Sequence, residues 1–184
     1  MIEEAVFKAV IADMQNCFKG SDANFSSTRD VFTARIQSYI LETKKYPEAA
    51  IIGEIGNNTF DHNFIFENDC PRGAYCDLSY RQKYTVLADY GKGIKGSLIS
   101  VLPSIGSDLQ AIEAAFTKRV SGRFPEQRGN GLKFVSRVIQ ENNWHLYFHS
   151  GTGFCSIDRA GIKFFKSPIS LTGCLAIINF SGEN

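Results

Sequence analysis

Glu54, Asn58 and His62 follow one another at four-residue spacing, with Asp61 between the last two. On a helix advancing 100° per residue these groups fall within about 100° of arc and share one face. A carboxylate, a carboxamide and an imidazole so placed can take a proton, supply a hard oxygen to a cation, or lie solvated. Beside them Ile51, Ile52 and Ile55 give the same segment an apolar side that would tether it to a sheet. A second group is Asp89-Tyr90-Gly91-Lys92-Gly93-Ile94, where an acid closes a run of β-formers and two glycines let the backbone turn tightly. An Asp in that place can accept from an amino group, and a plain strand-to-loop turn is the alternative. The third is Arg128-Gly129-Asn130-Gly131-Leu132-Lys133. There a glycine pair opens a helix whose free amides and dipole suit phosphate. A helix start without a ligand is the ordinary meaning of such a pair, but Arg119, Arg123 and Arg128 precede it and could close over phosphates.

These groups need elements to hold them. Ile2, Val6, Val10, Met14 and Phe18 recur every four positions and predict an amphipathic helix. It is expected to pack on the domain or on a second copy of the chain, which would make a homodimer. Ser26, Ser27 and Thr28 offer caps for a second helix to about Leu41, with Val31, Ile36 and Ile40 inward. Pro47 sits in the first turn of a third, from Glu48 to about Asn63, which carries the Glu54 face. Ala74 to Tyr80 and Lys83 to Asp89 read as a hairpin. Ser107-Asp108-Leu109-Gln110 is a capping box opening a helix to about Arg119, which Gly122 can close. Residues 121–128 have the composition of a mobile loop, and a helix runs from Gly131 to about Glu141. Trp144–Phe148, Gly153–Asp158, Gly161–Phe165 and Cys174–Phe180 read as strands, with His145 and His149 facing outward. This order argues an α+β fold, a two-layer α/β sandwich with a mixed, mostly antiparallel sheet and helices on one face. Residues 1–22 form an appended helix and 23–184 the domain.

The totals fit one globular domain. The chain has 184 residues, 43% apolar and 21% charged, enough to bury a core without staples. A net charge of +1 gives no long-range field for nucleic acid. Five scattered cysteines without a CxxC pair read as buried or idle thiols, Cys70 and Cys76 flanking a turn. There is neither a leader-like N-terminus nor an apolar run of about 18 residues. A cytoplasmic protein with no membrane partner is the expectation.

The order and spacing of the three groups resemble the ATP-binding module shared by sensor histidine kinases, anti-sigma-factor serine kinases, gyrase and mismatch-repair ATPases, the Bergerat fold. The resemblance spans about Ser27 to Phe180. The N-box reads EIGNNTFDHN from Glu54 to Asn63, the G1 box ADYGKGI from Ala88 to Ile94, and the G2 box RGNGL from Arg128 to Leu132. The E-x3-N-x3-H form, ending on His62, is most similar to the anti-sigma serine kinases. The resemblance implies ATP and Mg2+ as cofactors. Glu54 would be the catalytic base, and Asn58 would hold the metal. Asp89 would accept from the adenine amino group, and Gly93 would let the base lie against the backbone. Gly129, Asn130 and Gly131 would place amides against the phosphates, with Arg123 and Arg128 in a lid; His62, Gly91, Ile94 and Leu132 complete the implied cofactor-binding residues. The last motif departs from the family: Leu171-Thr172-Gly173-Cys174 places Cys174 where a threonine is usual, and Thr172 or Thr152 would have to substitute. Three functions share this site. The first is a kinase acting in signal transduction on a partner protein that supplies the phosphoacceptor. The second is a slow ATPase that acts as a switch through the N-terminal helix, with a regulatory partner. The third is a module that binds nucleotide without catalysis.

Overall fold

The computed structural model describes residues 3–62, 73–81, 83–118 and 130–182. Six helices and five strands stand among them: α1 (Glu4–Gln15), β1 (Phe25–Ser26), α2 (Arg29–Thr43), α3 (Tyr46–His62), β2 (Ala74–Tyr80), β3 (Tyr84–Asp89), α4 (Gly93–Leu98), α5 (Asp108–Thr117), α6 (Gly131–Glu141), β4 (His145–Asp158) and β5 (Gly161–Asn179). The strands form one open sheet in the order β1-β2-β3-β5-β4. All four pairings are antiparallel, so the parallel component of the expected mixed sheet is not found among them. The molecule is an α+β sandwich, and β3 and β5 are its central strands.

Strand residues alternate between two cores. Leu87, Ala176, Ile178, Leu146 and Phe148 face a helical layer formed by Phe32 and Ile36 of α2, Ile51, Ile52 and Ile55 of α3, Ile112 and Phe116 of α5, and Val135 and Ile139 of α6. Their neighbours Tyr84, Val86, Ala88, Tyr147, Leu175 and Ile177 face the other way, onto Val6, Val10, Ile11 and Met14 of α1. The α1 stripe is thus buried against its own sheet, and the second face is covered too. Strands buried on both faces read as nearly continuous apolar runs, as β3 does. Phe7 meets Tyr147 edge to face at 4.6 Å between centroids, and Phe18 stacks on Tyr75. Tyr90, just past β3, donates its hydroxyl to the Met14 carbonyl in the last turn of α1 at 2.8 Å.

Several local expectations are corrected. Val31 is 46% exposed and Phe32 takes the inward place on α2, its ring lying where Gly56 leaves the α3 backbone bare. Thr28 caps α2 as expected, accepting from the Val31 amide. Ser107 accepts from the Gln110 amide, but the Gln110 side chain reaches back to the Gly106 amide rather than to Ser107. The four C-terminal strand segments are two long strands. Gly151 and Gly153 do not break β4: they pack on Asp108 and on the Leu109 backbone, and register shifts there absorb the irregularity. Cys17 is disulfide-bonded, against the expectation of idle thiols, while Cys76, Cys155 and Cys174 are buried thiols outside any disulfide. Cys70, Arg119, Gly122 and the arginine-bearing loop lie outside the described residues. Among those described, no helix is long and apolar enough to cross a membrane.

His149 faces inward, not outward. It is fully buried between Tyr147 and Phe154. Its Nε2 lies 3.0 Å from the Gly151 carbonyl, which can only accept, so Nε2 carries the proton and Nδ1 accepts from the Tyr147 hydroxyl at 2.9 Å. Burial holds the imidazole pKa below its ordinary 6.5, against the opposing pull of the Gly151 and Ile169 carbonyls and the Asp108 charge. The unfolded chain therefore binds this proton at higher pH than the native one, and stability falls as pH drops below 6.5 toward the native value. Thermal midpoints should decline from pH 7 to pH 5 in wild type and decline less in His149→Gln. Equal slopes would remove His149 as the cause.

Candidate functional site

α3 brings Glu54 to the start of α6 and Thr59 to the end of β3. Glu54 is exposed, Asn58 half-buried and Thr59 buried. The Thr59 hydroxyl donates to Asp89 Oδ2 at 3.2 Å, and the Gly91 amide donates to Asp89 Oδ1 at 2.9 Å. Asp89 is buried at the end of β3, where six consecutive buried residues hold the strand inside the sheet. These two bonds fix the orientation of the carboxylate. The turn that Asp89 closes on Gly91 spans Tyr90, which sends its own side chain to the opposite face and α1.

Past that turn, Gly93 begins α4 with φ +69°, a conformation that favours glycine. A Cβ there would stand 2.6 Å from Ser150 Oγ. Ile94, half-buried, donates its amide to the same oxygen at 3.0 Å. Gly173, the residue before Cys174, has φ +81° and packs so closely that a Cβ would stand 1.9 Å from the Asp89 carbonyl.

The first group meets the third at the start of α6. A Cβ on Gly131 would lie 2.5 Å from Glu54 Oε2, so that carboxylate rests against the helix's first residue. Asn130, exposed, makes no side-chain cap, and the first turn of α6 contains no acid; among the described residues Glu54 is a carboxylate brought there from α3. A negative charge beside a helix N-terminus is favourable. Leu132, by contrast, points into the core and serves packing. Asp61 pairs with Arg29 and ties α3 to α2. Arg128, Gly129 and the His62 side chain lie outside the described residues.

Neither threonine proposed for the last motif reaches the site. Thr152 is committed to Asp108 through both its amide and its hydroxyl, each at 2.9 Å, and Thr172 is exposed. Thr59 and Ser150 are the residues that sequence reasoning missed. Thr59 directly follows Asn58 and was within reach of the helical pattern; nothing in the chain marks Ser150. The fold and site together define an α+β sandwich with a polar corner where β3 ends under α3, α4 and the start of α6. No family model, curated protein or solved structure matches the chain.

Proposed function

We propose that this corner binds ATP with magnesium and that the protein transfers the γ-phosphoryl group to a hydroxyl of a partner protein. The observation that carries the reading is the convergence of three separated segments. Thr59 fixes Asp89 beside Gly91 and Gly93, and one turn away Glu54 reaches Gly131 at the amide end of α6. An adenine amino group would donate to Asp89, and phosphates would extend toward α6. Among the described residues no three His, Cys, Asp or Glu side chains form a metal cluster. Magnesium held largely by phosphates and water needs only one or two protein oxygens, which the Asn58 carboxamide fits. When bound, the ion neutralises charge on the transferring group. Glu54 takes the proton of the attacking hydroxyl or water. The link from Tyr90 to α1 favours a second reading, an ATP-gated switch that hydrolyses slowly, because the loop beside Asp89 touches both faces of the sheet.

Titration calorimetry with Mg·ATP tests the shared premise, and folded protein that binds none would sink both readings. The Glu54 carboxylate and a terminal phosphate would share one helix end, so affinity should fall sharply when EDTA replaces magnesium. Glu54→Ala should keep Mg·ATP affinity and lose about 100-fold or more in turnover. Single-turnover reactions with and without candidate acceptors separate transfer from hydrolysis. Unchanged turnover in Glu54→Ala would remove it as the base.

A further inference from the structure

Asp89 pairs with Cys174 across β3 and β5, and Ser150 pairs with the same Cys174 across β4 and β5. The three side chains therefore form one cross-strand row on the face toward the helical layer. Ser150 is buried, and its hydroxyl is fully used. It donates to the Gly173 carbonyl at 2.8 Å, accepts from the Ile94 amide at 3.0 Å, and takes the Cys174 thiol at 3.7 Å. A hydroxyl has one donor and two acceptor positions, which these partners fill.

That single oxygen ties the start of α4 to the sheet. α4 has six residues, too few to hold a helical position without tertiary ties. Gly93 lies so near Ser150 that a Cβ would meet it, and Gly173 lies against the Asp89 backbone. The chain of contacts runs from Asp89 through Gly173 and Ser150 to Ile94 and Gly93. We propose that Ser150 is a positioning residue for base recognition, setting the spacing between the Asp89 carboxylate and the Gly93 backbone against which a purine lies. This rests on the nucleotide-binding reading above and adds the group that shapes the base end of the site.

Ser150→Ala removes the hydroxyl and little volume. Affinity for Mg·ATP and for adenosine should each fall about tenfold, the equivalent of one buried hydrogen bond. Competition by magnesium tripolyphosphate, which lacks a base, should stay within about twofold of wild type, since its contacts lie at α6. Amide exchange at residues 93–98 should quicken while the central strands keep their protection. Ser150→Thr, which retains a hydroxyl, should restore slow exchange if it folds. Unchanged exchange at 93–98 in Ser150→Ala overturns the positioning role whatever the ligand. Equal losses for ATP, adenosine and tripolyphosphate, with a lowered thermal midpoint, mean general loosening and overturn it as well. A wild type that binds no nucleotide overturns the proposed function and base recognition with it. A wild type that binds ATP no better than Ser150→Ala overturns only the inference.

Discussion

Gly173→Ala is expected to destabilise the native state by about 2–5 kcal/mol, from a left-handed backbone that alanine resists and from overpacking. The new methyl group would stand 1.9 Å from the Asp89 carbonyl oxygen and 2.6 Å from its carbon. Both atoms belong to the backbone of a central strand, so no flexible side chain can yield. β3 and β5 must part at the Asp89–Cys174 pair, or Gly173 must abandon φ +81°. Natural domains carry about 5–15 kcal/mol in total, so the variant would lose much of its margin. Gly20→Ala isolates the backbone share, because Gly20 has φ +82° and nothing within 4 Å of its would-be Cβ. Urea unfolding should show a lower midpoint for Gly173→Ala than for Gly20→Ala, at a similar slope. Equal midpoints would mean that the close approach to Asp89 costs nothing.

Asp89→Asn should leave the fold nearly intact and weaken ATP binding about 10- to 100-fold, the effect of a buried donor meeting a donor. The asparagine oxygen would still accept from the Gly91 amide. Its NH2 group would face Thr59, whose hydroxyl can turn from donor to acceptor. These two bonds therefore survive the substitution. The face offered to the base changes, because an adenine amino group would meet an NH2 rather than a carboxylate. A 6-oxo purine triphosphate should gain relative to ATP in the variant. Competition between ATP and inosine triphosphate measures this, and an unaltered preference would show that Asp89 does not read the base.

The contrast between these two positions marks what was legible in the chain. Asp89 and Gly93 were visible because a run of β-formers ends in an acid and two glycines, a local signature. The Glu54–Asn58 face was visible because helical spacing alone puts those residues together. Thr59 and Ser150 were not: each acquires its role from partners far along the chain, Thr59 from Asp89 and Ser150 from Ile94 and Gly173. The misplaced His149 has a related origin. Alternation along a strand assigns one face to water, but both faces of this sheet are covered, so the histidine's face was apolar in fact. Val31 and Phe32 show the limit of periodicity on α2, where adjacent apolar residues allow two phases and only packing on Gly56 chooses. The long β4–β5 hairpin was read in pieces because its glycines look like breaks, whereas two of them make room for α5.

The seating of α1 bears on how the protein behaves in solution. A chain shortened to begin at Ala23 would keep every residue of the polar corner and uncover Tyr75, Tyr84, Val86, Tyr147, Leu175 and Ile177 together. A contiguous apolar area on a sheet face attracts other surfaces, its own copies first. The Tyr90 hydroxyl would also lose its acceptor, one residue from Asp89. The first helix thus acts as the domain's built-in solubilising cover, and a domain boundary drawn just after it would cut through the packed body.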